Sequence, residues 1–114
     1  MDEAALRRPV GRPEVFRSQL VHLIEVTQDA RITLQVTPFG TGGPIAEAGA
    51  FTIMRFPEQD LPDVVYLEQL TSALYLDKRE DVERYSEVME RLSVESEPPE
   101  HTADILREIL QDLE

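Results

Sequence analysis

The 114-residue sequence predicts an α+β domain: a mainly antiparallel or mixed sheet of about four strands, flanked by three helices. Three observations lead there. Short segments of strand character, ITLQVTPF, AFTIMRFP, DVVYLE and SALYL, follow one another between residues 32 and 76. Helically spaced apolar residues precede them at 16–27 and follow them from residue 82 onward. Strands grouped together, rather than alternating with helices, favour α+β over a parallel α/β sheet. The length suits a single domain built on one core.

Gly11-Arg12-Pro13 introduces the first helix, with Pro13 near its first position, where a missing N–H costs nothing. Phe16, Leu20, Leu23, Ile24 and Thr27 form one stripe at i, i+4, i+7, i+8 spacing, and Gln28-Asp29-Ala30 ends the helix. Residues 31–37 alternate. Ile32, Leu34 and Val36 share one face, and Arg31, Thr33, Gln35 and Thr37 share the other, which predicts a half-buried strand stopped by Pro38. The polar face of that strand is either plain solvated sheet or one wall of a groove. Residues 40–50 hold four of the five glycines together with Pro44, a loop composition.

A second strand covers 51–56 and halts at Pro57. The unbroken run Val64-Val65-Tyr66-Leu67 predicts a strand covered on both faces, and Ala73–Leu76 a fourth. Asp77 and Glu80 have capping-box spacing ahead of a helix over about 78–93, with Val82, Tyr85, Met89 and Leu92 turned inward. Ser93 to Pro99 reads as a linker, because two prolines cannot continue a helix. A last helix covers about 100–113, with Ile105, Leu106, Ile109, Leu110 and Leu113 on one side. That stripe either covers the chain's own core or docks on a second copy.

Charge narrows the partners. Residues 1–57 carry six Arg and six Asp or Glu, so the whole net charge of −12 falls in residues 58–114. Phosphate binding needs Lys and Arg, and this surface repels DNA. The excess carboxylates either keep the chain in solution or receive a basic protein partner steered by charge. No apolar run approaches the roughly 20 residues of a bilayer span, and the start MDEAALRR lacks a signal's apolar stretch. With no cysteine as well, the expected address is cytoplasmic and no membrane partner is expected.

Chemistry is thinly supplied. His22 and His101 are the only histidines, and no metal-ligand spacing accompanies them, so neither metal nor cofactor is expected. His22 reads as a partly buried core-edge residue and His101 as solvated. Ser18 and His22 are i, i+4 neighbours without an acid to orient the imidazole. Gly40, Gly42 and Gly43 lack the Gly-Lys-Ser/Thr ending of a phosphate loop. Glu80/Asp81 and Glu83/Glu87 read as solvated carboxylates of a helix. No catalytic residue is assigned, and the chain is expected not to be an enzyme.

Several landmarks together resemble a known family. They are Glu3-Ala-Ala-Leu-Arg-Arg-Pro-Val-Gly11, the run at 12–20, Leu34-Gln35-Val36 with Pro38-Phe39, and Phe51-Thr52-Ile53 with Phe56-Pro57. Asp63-Val-Val-Tyr-Leu-Glu68, Leu74-Tyr75-Leu76 and Glu83-Arg84-Tyr85 complete the set. The pattern resembles the C-terminal effector domain of actinobacterial XRE-type helix-turn-helix regulators, also described as antitoxin-like transcriptional regulators. The resemblance covers nearly all of residues 3–92. It implies a protein-interaction or signal-sensing module of a transcription regulator, with residues 1–8 closing a strand and beginning a turn. Nothing resembling the helix-turn-helix domain lies in these residues, so the chain is expected to be a partial effector domain that binds no DNA itself.

On this footing the expected role is binding a protein partner, small and basic, through Tyr66, Glu68, Asp77, Glu83, Glu87 and Glu90. Leu106, Ile109, Leu110 and Leu113 would form the stripe of a homodimer. The alternative is a small-molecule sensor with a pocket under the glycine-rich loop, lined by Phe39, Phe51 and Phe56.

Overall fold

A computed structural model describes residues 1–41 and 49–113 of the chain. Among these residues the chain is α+β, with four α-helices and a three-stranded antiparallel sheet. The chain clusters into two compact units, one formed by Met1–Gly42 with Ser93–Glu114 and the other by Gly43–Leu92.

The first unit holds helix α1 (Glu3–Arg7), helix α2 (Pro13–Val26) and, after a 3-10 turn at Pro99–His101, the C-terminal helix Thr102–Asp112. Asp2 caps α1 by accepting from the Ala4 N–H at 3.0 Å, and Glu3 and Arg7 bond one turn apart at 2.7 Å. This helix stands where a strand end and turn were expected: one carboxylate cap and one i, i+4 ion pair are enough to hold a single turn. Gly11, at φ 75°, reverses the chain into α2, and Pro13 occupies its first turn.

The core of this unit is Leu6, Leu20, Val36, Leu106 and Ile109, with Phe16, Leu23, Ile24, Leu34, Ile105, Leu110 and Leu113 packed around it. The α2 stripe therefore does what its spacing predicts. Of the two placements weighed for the C-terminal stripe, the structure has the one inside its own core: Leu106 is fully buried and Ile109 nearly so. His22 is exposed rather than at the core edge, because two residues on from buried Leu20 is the opposite side of a helix with 3.6 residues per turn.

Residues 31–37 form no ladder; the segment contributes only a parallel bridge, Asp2 with Thr37. Its odd-numbered backbone groups face residues 1–3, with Glu3 N–H donating to Thr37 O at 2.9 Å and Thr37 N–H to Met1 O at 2.7 Å. Its even-numbered groups face the C-terminal segment, where Glu97 N–H donates to Val36 O at 2.9 Å and the Thr102 hydroxyl to Leu34 O. The segment is extended as the alternation predicts, but its neighbours are a helix start and a turn, not strands. Its polar face is closed at one end, where Gln35 Nε2 donates to Ser93 O at 3.0 Å and Glu97 O at 3.2 Å and Thr37 pairs with Ser96 at 2.8 Å, while Arg31 and Thr33 are exposed.

The second unit holds β1 (Thr52–Met54), β2 (Val64–Glu68) and β3 (Ala73–Leu76), ordered β1-β2-β3. Register pairs Thr52 with Tyr66, Ile53 with Val65, Tyr66 with Tyr75 and Glu68 with Ala73. Helix α3 (Arg79–Glu95) follows, its last three residues belonging to the first unit, so the C-terminal helix is α4. α3 begins two residues after Asp77, which puts the N-cap position at Lys78, and no capping bond from Asp77 is among those described. It also runs beyond the predicted 93. Ser93-Val94-Glu95 tolerate a helix, and only the residue before Pro98 is steered out of it. Met89, expected inward, is partly exposed, and Val88 is half-buried beside Tyr85 and Leu92. Among the described residues no helix is long and apolar enough to cross a membrane.

Candidate partner-binding surface

Strand alternation sorts the second unit's sheet into two faces. One carries Ile53, Val65 and Leu76, with Val65 fully buried at its centre. Phe51, one residue before β1 and on the Ile53 side by alternation, meets Tyr85 of α3 edge-on with ring centroids 5.1 Å apart. That contact puts α3 over the Val65 face. The other face carries Thr52, Tyr66, Glu68, Ala73 and Tyr75, of which all but half-buried Tyr66 are exposed. The expectation that the 64–67 strand is covered on both faces holds for the Val65 side only.

On the exposed face Tyr66 and Tyr75 lie directly across β2 and β3, with ring centroids 5.0 Å apart and planes tilted by 44°. A non-sandwich pair of this kind suits the ring quadrupoles. The hairpin that aligns them closes through Gln69 N–H donating to Ser72 O at 2.8 Å. Glu68 lies two residues from Tyr66 on the same face. The Tyr66 phenol is pushed above its ordinary value of 10.0, first by desolvation, then by the charge of Glu68, by Tyr75, and by its hydrogen bond with Glu68. Tyr75 is the residue of this group that the sequence analysis left unassigned. Its signal was the hairpin sum: once Glu68 pairs with Ala73, Tyr66 must meet Tyr75.

The six residues expected to bind a partner are all in the second unit, but on separate surfaces. Tyr66 and Glu68 share the exposed sheet face. Asp77 is exposed between β3 and α3. Glu83, Glu87 and Glu90 recur at i, i+4, i+7 on α3 and are exposed, with Glu83 paired to Arg79 at 2.9 Å. The carboxylates of the helix and the tyrosine pair therefore do not form one continuous site.

Phe39, in the first unit, is 60% exposed, and Phe56, in the second, is 43% exposed. Phe51 is occupied by its contact with Tyr85. Loop residues 42–48, over the pocket expected between these three, lie outside the described residues.

The first unit has its own concavity, a cleft of about 440 Å³ with Val36, Pro38 and Ile105 at its apolar part and Glu3, Glu97, Asp104 and Glu108 around it. Arg7 enters it tied to Glu3 and to Asp112 at 2.9 Å, both of which hold its guanidinium more firmly protonated. His101 sits 3.5 Å from Glu97. Among the described residues no three His, Asp or Glu side chains converge to hold a cation.

Residues 1–108 match one family model, described as a domain of unknown function (DUF5753). No curated protein and no solved structure matches the chain.

Proposed function

This chain belongs to the DUF5753 family, and we propose that it is the effector and interaction domain of an antitoxin-like helix-turn-helix transcription regulator of the XRE type. In this reading it acts by binding a small, basic protein partner rather than by catalysis, and leaves DNA contact to another part of the regulator. The observation that carries the reading is the row Glu83, Glu87 and Glu90 along exposed α3, in a chain of net charge −12. Such a row steers a cationic surface and repels phosphates. The landmarks at 3–20, 34–39, 51–57, 63–68 and 74–85 supply the link to the regulators.

The test is affinity capture from the source cells by the full chain, in parallel with a Glu83→Gln/Glu87→Gln/Glu90→Gln variant. The expected result is a basic protein whose retention falls as salt rises and is lost in the variant. Capture indifferent to both salt and variant, or tight binding of duplex DNA at moderate salt, sinks the reading.

A further inference from the structure

We propose that the exposed Tyr66–Tyr75 pair with Glu68 is a docking site for an arginine side chain of a basic protein segment, a site separate from the α3 carboxylates. The inference rests on the partner reading above and names the chemistry that one of its surfaces selects. Three features of the face carry it. Tyr75 leaves 67% of its surface exposed, although it is a large aromatic on a strand. Its ring is held at a fixed tilt by Tyr66 across the ladder, 5.0 Å away, so the exposed π-face is presented in one orientation. Glu68 sits diagonally across the same face, pairing with Ala73 two residues before Tyr75. Diagonal neighbours in an antiparallel pair are about 7–8 Å apart, within reach of one arginine spanning ring and carboxylate.

A guanidinium fits this arrangement better than an ammonium does. It is planar and weakly hydrated, stacks on an aromatic face, and still turns its fork of N–H donors to a carboxylate. Lysine offers a compact, strongly hydrated charge that can satisfy Glu68 but gains less from the ring. Glu68 is exposed, and the second unit's ion pairs of Arg55 with Asp63 and Arg79 with Glu83 do not involve it. The net charge of −12 favours a cationic segment over a nucleic acid, which also stacks on aromatic pairs but needs basic side chains around them.

The probe is a blocked peptide of alternating glycine and arginine, compared with its lysine and citrulline counterparts and with a short oligouridine. Binding is read by backbone amide shifts and by tyrosine fluorescence, which no tryptophan masks in this chain. The arginine peptide is expected to move the resonances of β2 and β3 and to bind about three- to fivefold tighter than the lysine peptide. Tyr75→Ala and Glu68→Gln each erase that preference, whereas Tyr75→Phe, which keeps the ring, retains it. Glu87→Gln with Glu90→Gln leaves the arginine preference in place. Equal binding of arginine and lysine, indifference to Tyr75→Ala, shifts confined to α3, preference for oligouridine, or no arginine binding at millimolar peptide overturns the site. Should the peptide fail while salt-sensitive capture through α3 persists, the site falls and the partner reading stands. If capture fails and the peptide binds with its arginine preference, the partner reading falls instead.

Discussion

The two units of this chain solve the same problem with different means. The first surrounds five buried apolar residues with three helices and an extended segment, and ties that segment down with polar bonds from Gln35, Thr37 and Thr102. Among its described residues the second has one fully buried apolar residue, Val65, in a three-stranded sheet whose opposite face is exposed save for half-buried Tyr66. Its large exposed side chains include Phe56, Leu61, Leu70, Leu74 and Tyr75, with Leu70 fully exposed. What the difference teaches is that burial, not charge, separates the units. Each carries a net charge of −6, from six basic and twelve acidic residues in the first and five basic and eleven acidic in the second. The first also exposes large apolar side chains, Val10 and Phe39 among them. The first unit is organised around packing, whereas the second leaves one face of its sheet, with Tyr75, to solvent, and such a face is suited to recognition.

Substitutions can break this contrast or sharpen it. The largest effect is expected from Leu106→Ala, which opens a cavity at a fully buried position and costs about 2–5 kcal/mol in a denaturant titration. Hydrogen exchange is expected to place that loss first in α2 and α4. Val65→Ala removes two methyl groups from a smaller core and is expected to cost about 2 kcal/mol. Equal losses for the two variants would remove the asymmetry. Thr102→Val keeps the shape but leaves Leu34 O without its buried donor, at about 1–2 kcal/mol, and Thr102→Ser recovers part of it. Tyr75→Ala removes a largely exposed ring together with its pairing to Tyr66 and should cost about 1 kcal/mol. A loss several times larger in a thermal melt would show that the sheet's outer face is structural.

The smallest effect is in titration. Tyr66 is expected to ionise above 10.0, followed as tyrosinate absorbance with Tyr75→Phe and Tyr85→Phe to isolate it. A folded-state pKa above the unfolded one means that the stabilisation is complete below the unfolded value and is lost as pH rises through the folded value. Glu68→Gln removes the adjacent negative charge and brings the titration part of the way back. No movement would detach Glu68 from the tyrosine pair.

How much of this was legible depends on how local each cause is. Pro13 and the stripe from Phe16 to Ile24 announce α2, and the runs at 64–67 and 73–76 announce β2 and β3 almost to the residue. These follow from φ restriction and from period, both carried by neighbours in sequence. Residues 31–37 show the limit. Alternation predicts that Ile32, Leu34 and Val36 share the covered face: Val36 is buried and Leu34 half-buried, but Ile32 is exposed and Thr37, expected on the other face, is buried. It cannot predict that the hydrogen-bond partners come from residues 1–3 and 97–102, so that no strand ladder forms. The candidate site divides the same way. Glu68 and the α3 carboxylates were readable as acidic and Tyr66 was named with them, whereas Tyr75 joined them only through pairing register.

The sequence alone determined the types of α2 to α4 and of the three strands after residue 50, the inward stripes of α2 and α4, and the concentration of negative charge after residue 57. Each is set by residues within a few positions of one another, or by composition. Tertiary structure decided where those pieces spend their surfaces: α4 in its own core, α3 over one sheet face, and the tyrosine pair on the other. Those outcomes depend on contacts between residues distant in the chain, where burial and hydrogen-bond satisfaction outweigh local preference.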